Sequence, residues 1–379
     1  MIIIFSASLL LLLYIYLGYP VAALFLARII NREVYKAPYE PSVTILIAAY
    51  NEEEHIERTV ENKLELDYPD DRLEIIVISD QSDDRTDDIV KSFSDKRVKF
   101  LRQEPRRGKT SALNLAMPHA SGEIIVFSDA NSIYEKQALR YLVENFSDPS
   151  VGYVTGKMIY INHDGTIIGN GCSTYMRYEN LLREVETKIG SVVGVDGGVD
   201  AVRKSLYREM RHDQLPDFVL PLMVVEQGYR VVYEPRAVLM EDTLKSPEDE
   251  NRMRVRVSLR ALWALFDMRV LFNPLRYGIF SVQLFSHKVL RYLGIIFVVA
   301  VYVSNIVLIS RSMFYKLFFV LQSVVLGMAL AGRHMEKKGM SSHVFYIPYY
   351  FFLINIAAGQ ALLKFLRGEK QATWAPRKG

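Results

Sequence analysis

Two kinds of hydrophobic pattern alternate along this chain. Ile2 to Ala27 carry no charge, long uncharged runs return in the last hundred residues, and residues 31–275 between them show the short apolar runs and polar intervals of a soluble α/β protein. The layout this predicts is membrane, globule, membrane. The first run has no basic residue before it and is too long for a signal-peptide core, so a spanning helix is expected. Arg28, Arg32 and Lys36 follow at once; since positive residues stay inside, they place the amino terminus outside and the globule in the cytoplasm.

Within the globule, four buried-looking strands are expected at Val43–Ala49, Glu74–Ser79, Val98–Arg102 and Glu123–Phe127. Helical stretches alternate with them: one capped by Asn51 with Glu54 closing a capping box, one running to about Phe93, and one from Thr110 to Met117. Such alternation predicts a parallel, doubly wound sheet whose loops gather on one edge. A strand at Val151–Thr155 follows, then an amphipathic helix at Ser173–Lys188, a glycine-broken strand pair over Val192–Arg203, a helix at Asp217–Gln227 and a strand at Arg230–Tyr233.

From Glu248 a basic amphipathic helix begins, with Arg252, Arg256 and Arg260 four residues apart on one face. It either lies on a membrane surface or turns its arginines inward to phosphates. Val289–Ile309 and Met313–Ala331 read as spans. Val344–Leu366 contains Pro348, Asn355 and Gln360, and basic residues flank both its ends: Arg333, Lys337 and Lys338 before it, Lys364, Arg367, Lys370, Arg377 and Lys378 after it. Both flanks claim the cytoplasm, which leaves a kinked span or an interfacial helix.

Composition narrows the function. A formal charge of +3 over 379 residues gives no case for nucleic-acid binding. A single cysteine, Cys172, excludes an internal disulfide and a multi-thiolate metal site, and suits a reducing compartment. The spans lack deep charges, which argues against a transporter.

The chemistry gathers on the sheet's loop edge, where Tyr50 and Glu52, Asp80, Lys109, and Asp129 with Asn131 are delivered by separate strands. Asp129 and Asn131 are hard oxygen donors two residues apart, a spacing that can hold Mg²⁺ or Mn²⁺ against a phosphate; the same residues could instead cap the next helix. A carboxylate for a base's imino proton, a cation near phosphate and ligands for a divalent ion are the parts a nucleotide-diphosphate donor needs.

Four segments in order carry a resemblance: Thr44-Ile45-Leu46-Ile47-Ala48-Ala49-Tyr50-Asn51-Glu52-Glu53, Ser79-Asp80-Gln81-Ser82-Asp83-Asp84-Arg85-Thr86, Gly108-Lys109-Thr110-Ser111-Ala112-Leu113-Asn114 and Phe127-Ser128-Asp129-Ala130-Asn131. The chain resembles the family 2 glycosyltransferases, in particular the membrane-integrated branch with cellulose, chitin, poly-N-acetylglucosamine and hyaluronan synthases. The resemblance implies an α/β GT-A fold, Rossmann-like with a mostly parallel sheet, in a cytoplasmic domain flanked by transmembrane and interfacial helices. The division expected is a transmembrane helix at 1–30, a GT-A domain at 31–247 with donor half 41–135 and acceptor half 136–247, interfacial helices at 248–288, transmembrane helices at 289–366 and a basic cytoplasmic tail at 367–379.

By the same resemblance, Asp80 binds a uracil-type base, and Ala48, Tyr50, Glu52, Lys109 and Ser128 surround the nucleotide. Asp129 and Asn131 take the family's Asp-x-Asp metal position for Mg²⁺ or Mn²⁺, with Asn131 departing from the acidic form. Asp217 becomes the catalytic base, its alternative being a first-turn helix acid, and Asp213 is a second candidate. Gly197-Gly198 and Arg203 resemble an acceptor-side glycine turn and its basic residue, or an ordinary hairpin. The Gln-x-x-Arg-Trp string of processive members is absent; Arg254 or Arg256 stands in for the diphosphate ligand and Trp263 for the acceptor stacking surface. His287-Lys288 looks like an interfacial element, or a snorkelling flank. The function implied is inverting transfer from a UDP-sugar to a growing polysaccharide at the cytoplasmic face of the cell membrane, with lipids and a homo-oligomer or export subunit as partners. A glycolipid-forming single addition and a catalytically silent nucleotide-binding subunit are the alternatives.

Overall fold

The computed structural model describes residues 1–161, 167–242, 247–338, 340, 342 and 344–371, so the end of the basic tail, with Arg377 and Lys378, lies outside the described residues. Among the described residues eight strands, β1 (Val43–Ala49), β2 (Leu73–Ser79), β3 (Val98–Arg102), β4 (Ile124–Asp129), β5 (Ile133–Tyr134), β6 (Val151–Ile161), β7 (Asp200–Arg203) and β8 (Arg230–Asp242), form one sheet in the order β3-β2-β1-β4-β7-β6-β8-β5. The first four pair in parallel. β1 and β2 are buried along their whole length, which is why they read as mainly apolar runs, broken only by the buried Thr44, Glu74 and Ser79. β7 then runs antiparallel to both β4 and β6.

Helices cover both faces of the sheet. After α1 (Ile2–Ile30) come α2 (Ile56–Leu64), α3 (Thr86–Ser92), α4 (Lys109–Ala116), α5 (Ala138–Glu144), α6 (Ile167–Ile189), α7 (Pro216–Glu226) and α8 (Pro247–Asp267). One core joins Leu46 and Ile76 to Leu113 of α4, Val219 of α7 and Ala261 and Leu265 of α8; the other joins Ile45 and Ile75 to Val60 of α2, Val90 of α3 and Leu142 of α5. From β1 the chain moves outward to β2 and β3, then returns to place β4 on β1's other side. The carboxyl ends of β1 and β4 therefore form the switch point where open sheets bind ligands, and Ala48 lies in register with Asp129 there.

Three expectations change. Val192–Arg203 is not a strand pair: only Asp200–Arg203 joins the sheet, because Gly197 at φ +89° turns the chain and Asp196 is pinned to Arg183 instead of a strand partner. Asn51 builds no capping box, since it sits at φ +53° and exchanges hydrogen bonds with Asp83, and the helix starts at Ile56. Arg252 does not share the inward face of Arg256 and Arg260; it is exposed and paired with Asp249.

The remaining helices are α9 (Ile279–Tyr292), α10 (Gly294–Leu308), α11 (Met313–Lys337) and α12 (Tyr346–Leu366). Helices α1, α11 and α12 are long and apolar enough to cross a membrane, and α9 with α10, bent by 56°, make a fourth candidate. α12 nevertheless touches α8 near both its ends. Tyr350 donates to Glu250 at 2.8 Å near one, and the Trp263 indole donates to the Glu369 carbonyl at 2.8 Å just past the other.

Candidate active site

The loop after β4 is braced from behind by α2. Thr59 donates to the Ala130 carbonyl at 2.7 Å, and Lys63, wholly buried, donates to the Ser132 carbonyl at 2.6 Å while its ammonium stands 3.7 Å from the Tyr134 ring centre. Burial pushes the Lys63 pKa well down, opposed by the nearby Asp129 charge. So braced, the loop presents Asp129 to a cavity of about 350 Å³ at the switch point. Asp129 caps no helix: its Oδ1 accepts from Lys109 Nζ at 2.7 Å, and the next helix begins only at Ala138.

Lys109 opens α4, and the same ammonium lies 3.4 Å from Asp217 Oδ1. Asp217 is in the first turn of α7 but makes no cap hydrogen bond; its carboxylate faces the cavity. Burial raises the Asp217 pKa, with Lys109 opposing. For Lys109, burial works downward, but the carboxylates of Asp129 and Asp217 outweigh it and hold the ammonium above the ordinary lysine range. Gly197 lies directly against Asp217, so the glycine turn backs the carboxylate.

Arg256 and Arg260 enter the cavity from α8. Burial lowers both, Arg260 to about 10, against the pull of Asp217. Arg256 has no hydrogen bond or ion pair among the described residues, and Arg260 donates to the Gln214 carbonyl with its Nε left without a partner. Two cations one helical turn apart in a buried wall call for an anion. The spacing Arg252-Arg256-Arg260 carried the signal for Arg260, which the reading of Arg254 or Arg256 passed over. Lys63 had no local signal, since it acts through the Ser132 carbonyl, distant in the chain.

Other expected residues fall into groups. Ala48, Glu52 and Asn131 line the cavity with Asp129. Asp80 is buried and turned into the loop before α4: it accepts from Gln103 and from the backbone N–H groups of Arg107 and Gly108, both at 2.9 Å. Tyr50 lies beside it with the Arg106 guanidinium 3.4 Å over its ring. Ser128 is buried and donates to the Asp129 carbonyl. Arg254 lines the cavity but is held by Glu250 at 2.8 Å and by Tyr350. Trp263 is not among the lining residues: it packs on Phe365 with ring centres 4.6 Å apart. Gly198 packs toward Leu239, and Arg203 binds the carbonyls of Val151 and Phe146 at the opposite end of β7. Asp213 belongs to an outer network with Arg211 and Lys370.

Among the described residues no three His, Cys, Asp or Glu side chains gather as a metal cluster. Asp129 and Asn131 are two oxygen donors on one cavity wall, and Asn131 Nδ2 is 3.4 Å from Glu241 Oε1. That set suits Mg²⁺ or Mn²⁺ completed by phosphate and water oxygens, not a metal held by protein alone.

Comparison with known proteins gives this geometry a family. The model for glycosyl transferase family 2 matches residues 44–209. The probable glycosyltransferase YdaM of Bacillus subtilis is 31% identical over 291 residues, 70% of this chain and 67% of that protein. The chain belongs to glycosyl transferase family 2. A poly-beta-1,6-N-acetyl-D-glucosamine synthase of Staphylococcus aureus is 32% identical over 212 residues, 53% of this chain; the match spans about half of that synthase, 51%. The mannosyltransferase PcManGT from Pyrobaculum calidifontis, solved in complex with GDP-Man and Mn²⁺, has a TM-score of 0.73 over 97% of this chain and 99% of its own at 22% identity, which shows a shared GT-A fold. This family 2 chain is thus a glycosyltransferase whose mostly parallel sheet is flanked by helices able to enter a membrane.

Proposed function

We propose that the chain transfers a sugar, with inversion, from a nucleotide-diphosphate donor, uridine-linked, to a growing saccharide at the cytoplasmic face of the cell membrane. The observation that carries this is the single ammonium of Lys109 lying between Asp129 and Asp217, 2.7 and 3.4 Å away, at the sheet's switch point. Asp217 takes the acceptor hydroxyl's proton as the oxygen attacks the anomeric carbon from the face opposite the diphosphate. Lys109, Arg256 and Arg260 face the oxygens on which charge develops as the sugar–phosphate bond breaks. A divalent ion held by Asp129 and Asn131 would neutralise part of that charge. Asp80 and Tyr50 shape the pocket for the base, Asp80 by fixing the loop that carries Arg106 to Gly108.

A polymer-making relative supports a saccharide acceptor. A second reading, one sugar added to a lipid, is favoured by the cavity's far wall, which Tyr16 of α1 and Asn355 of α12 provide. Purified protein given several UDP-sugars with Mg²⁺ or Mn²⁺ tests both: a ladder or polymer supports the first, and a single sugar on lipid supports the second. Asp217→Asn should bind UDP yet release none from the donor, whereas unchanged turnover removes Asp217 as base. A wild type that binds UDP and turns over no sugar nucleotide would be the silent subunit.

A further inference from the structure

The loop from Asp129 to Tyr134 joins β4 to β5, and α2 grips it by its backbone. Thr59 and Lys63 take the Ala130 and Ser132 carbonyls, and the Asn62 amide closes the set: it donates to the Tyr134 carbonyl at 3.0 Å and accepts from the Tyr134 N–H at 2.8 Å. The Tyr134 ring is buried against the Lys63 ammonium. With backbone and ring both held, the place of the hydroxyl is set.

That hydroxyl stands 2.9 Å from the Phe127 carbonyl oxygen and 2.7 Å from that of Gly198. A phenol has one proton, which the two carbonyls share. Burial keeps the Tyr134 pKa well above the ordinary phenol range, so the proton stays on the oxygen. The antiparallel ladder between β4 and β7 ends at Phe127 and Asp200, where the chain has just come out of the turn at Gly197. Tyr134 supplies a donor between the two strands where that ladder stops. It thereby ties the strand that carries Asp129 to the turn that lies against Asp217, although it is not itself among the residues that line the cavity.

We propose that Tyr134 is a positioning residue of the transfer, its hydroxyl holding the loop that bears Asp129 and the turn that backs Asp217 at a fixed separation. The two sides of the site come from different parts of the fold, β4 and α4 on one, α7 and the Gly197 turn on the other, and a shift of about 1 Å between reacting groups costs about a hundredfold in rate. The inference rests on the transferase reading above, with Asp217 as base, and adds a residue outside the cavity that sets its geometry.

The test uses the full chain in lipid nanodiscs, with the UDP-sugar and the ion, Mg²⁺ or Mn²⁺, that give the highest UDP release. Tyr134→Phe keeps the ring on Lys63 and removes only the hydroxyl. Its kcat should fall about tenfold, part of the cost of a full 1 Å displacement, while the UDP-sugar KM and the half-saturating concentration of the ion stay within about twofold of wild type. Lys63→Met, which frees the ring but leaves the hydroxyl, should lower kcat in the same way with the UDP-sugar KM unmoved. Gly197→Ala already displaces the carboxylate, so adding Tyr134→Phe to it should cost less than about twofold more, as two changes on one path do. A further fall of about tenfold in the double variant would make the two residues independent and overturn the proposal. So would an unchanged kcat in folded Tyr134→Phe protein, a KM that shifts as much as kcat, or loss of the fold in both single variants. Absence of UDP release by the wild type from every sugar nucleotide instead refutes the transferase reading.

Discussion

A Cβ placed on Gly197 would stand 2.5 Å from Cγ of Asp217 and 2.6 Å from its Oδ2. The glycine turn is the surface against which the proposed base rests, and its φ of +89° independently disfavours a side chain. Gly197→Ala must therefore push the carboxylate aside. The expected result is a fall in kcat of about a hundredfold, since misplacing a reacting group by about 1 Å costs that much. UDP affinity, measured by calorimetry, should stay near wild type because the base-side loops with Tyr50 and Asp80 follow β1 and β2, which β4 separates from β7. An equal fall in UDP affinity would show that the turn supports the whole pocket instead.

Lys109 ties Asp129 to Asp217, and its charge opposes the burial that raises the Asp217 pKa. Lys109→Met removes that opposition, so the Asp217 pKa rises further. A base must be ionised to act, and activity fails as pH falls through its pKa; the acid limb of the kcat/KM profile should therefore move to higher pH in the variant. A limb that stays in place while kcat falls would confine Lys109 to the donor phosphates.

Much of the architecture was legible because β1, β2 and β4 are buried on both faces and each ends in a polar loop; Val43–Ala49, and the half-exposed Val98–Arg102 at the sheet edge, were readable to the residue. The pairing of Asp129 with Asp217 was not, because only the antiparallel β7 and the turn at Gly197 bring α7 to the switch point, and neither follows from local periodicity. Trp263 illustrates the converse. An aromatic residue near an arginine helix has the right type for stacking on a sugar, yet its side chain emerges toward Phe365 and Glu369, a direction set by where α12 lies. Asn51 had the sequence of a cap, but the facing loop offered Asp83, and the tertiary partner won.

Arg256 and Arg260 stand one turn apart with their neighbouring charges opposed to each other. Function gains from this only when diphosphate is present, so the empty protein carries the repulsion. Arg256→Gln should lower kcat by about two to three orders of magnitude, as loss of a transition-state charge donor does. The same change should raise the melting temperature of the ligand-free protein by removing a buried cation whose desolvation outweighs the attraction of Asp129 and Asp217, a trade of activity against stability. UDP should protect the wild type from melting more than it protects the variant. A variant less stable than wild type without UDP would mean that Arg256 is structural.

Asp200, buried on β7, accepts from the Gly197 N–H at 3.0 Å and from the Tyr153 hydroxyl at 2.9 Å, and so anchors the turn that backs Asp217. Burial raises its pKa to about 7, opposed by Thr155 and assisted by the charge of Asp217. Its unfolded pKa is about 3.9, so between that value and about 7 the folded protein holds a proton the unfolded chain has lost. The stabilisation this brings is complete below the unfolded value and drains away as pH rises to about 7, at no more than about 1.4 kcal/mol per pH unit. Asp200→Asn keeps a side-chain oxygen for both donors and cannot ionise. Melting temperatures taken from about pH 5 to pH 8 should therefore fall more for wild type than for the variant up to about pH 7, and run parallel above it. Curves parallel throughout would mean that Asp200 is already ionised at the acid end, and the turn at Gly197 would then be anchored by a carboxylate at every pH tested.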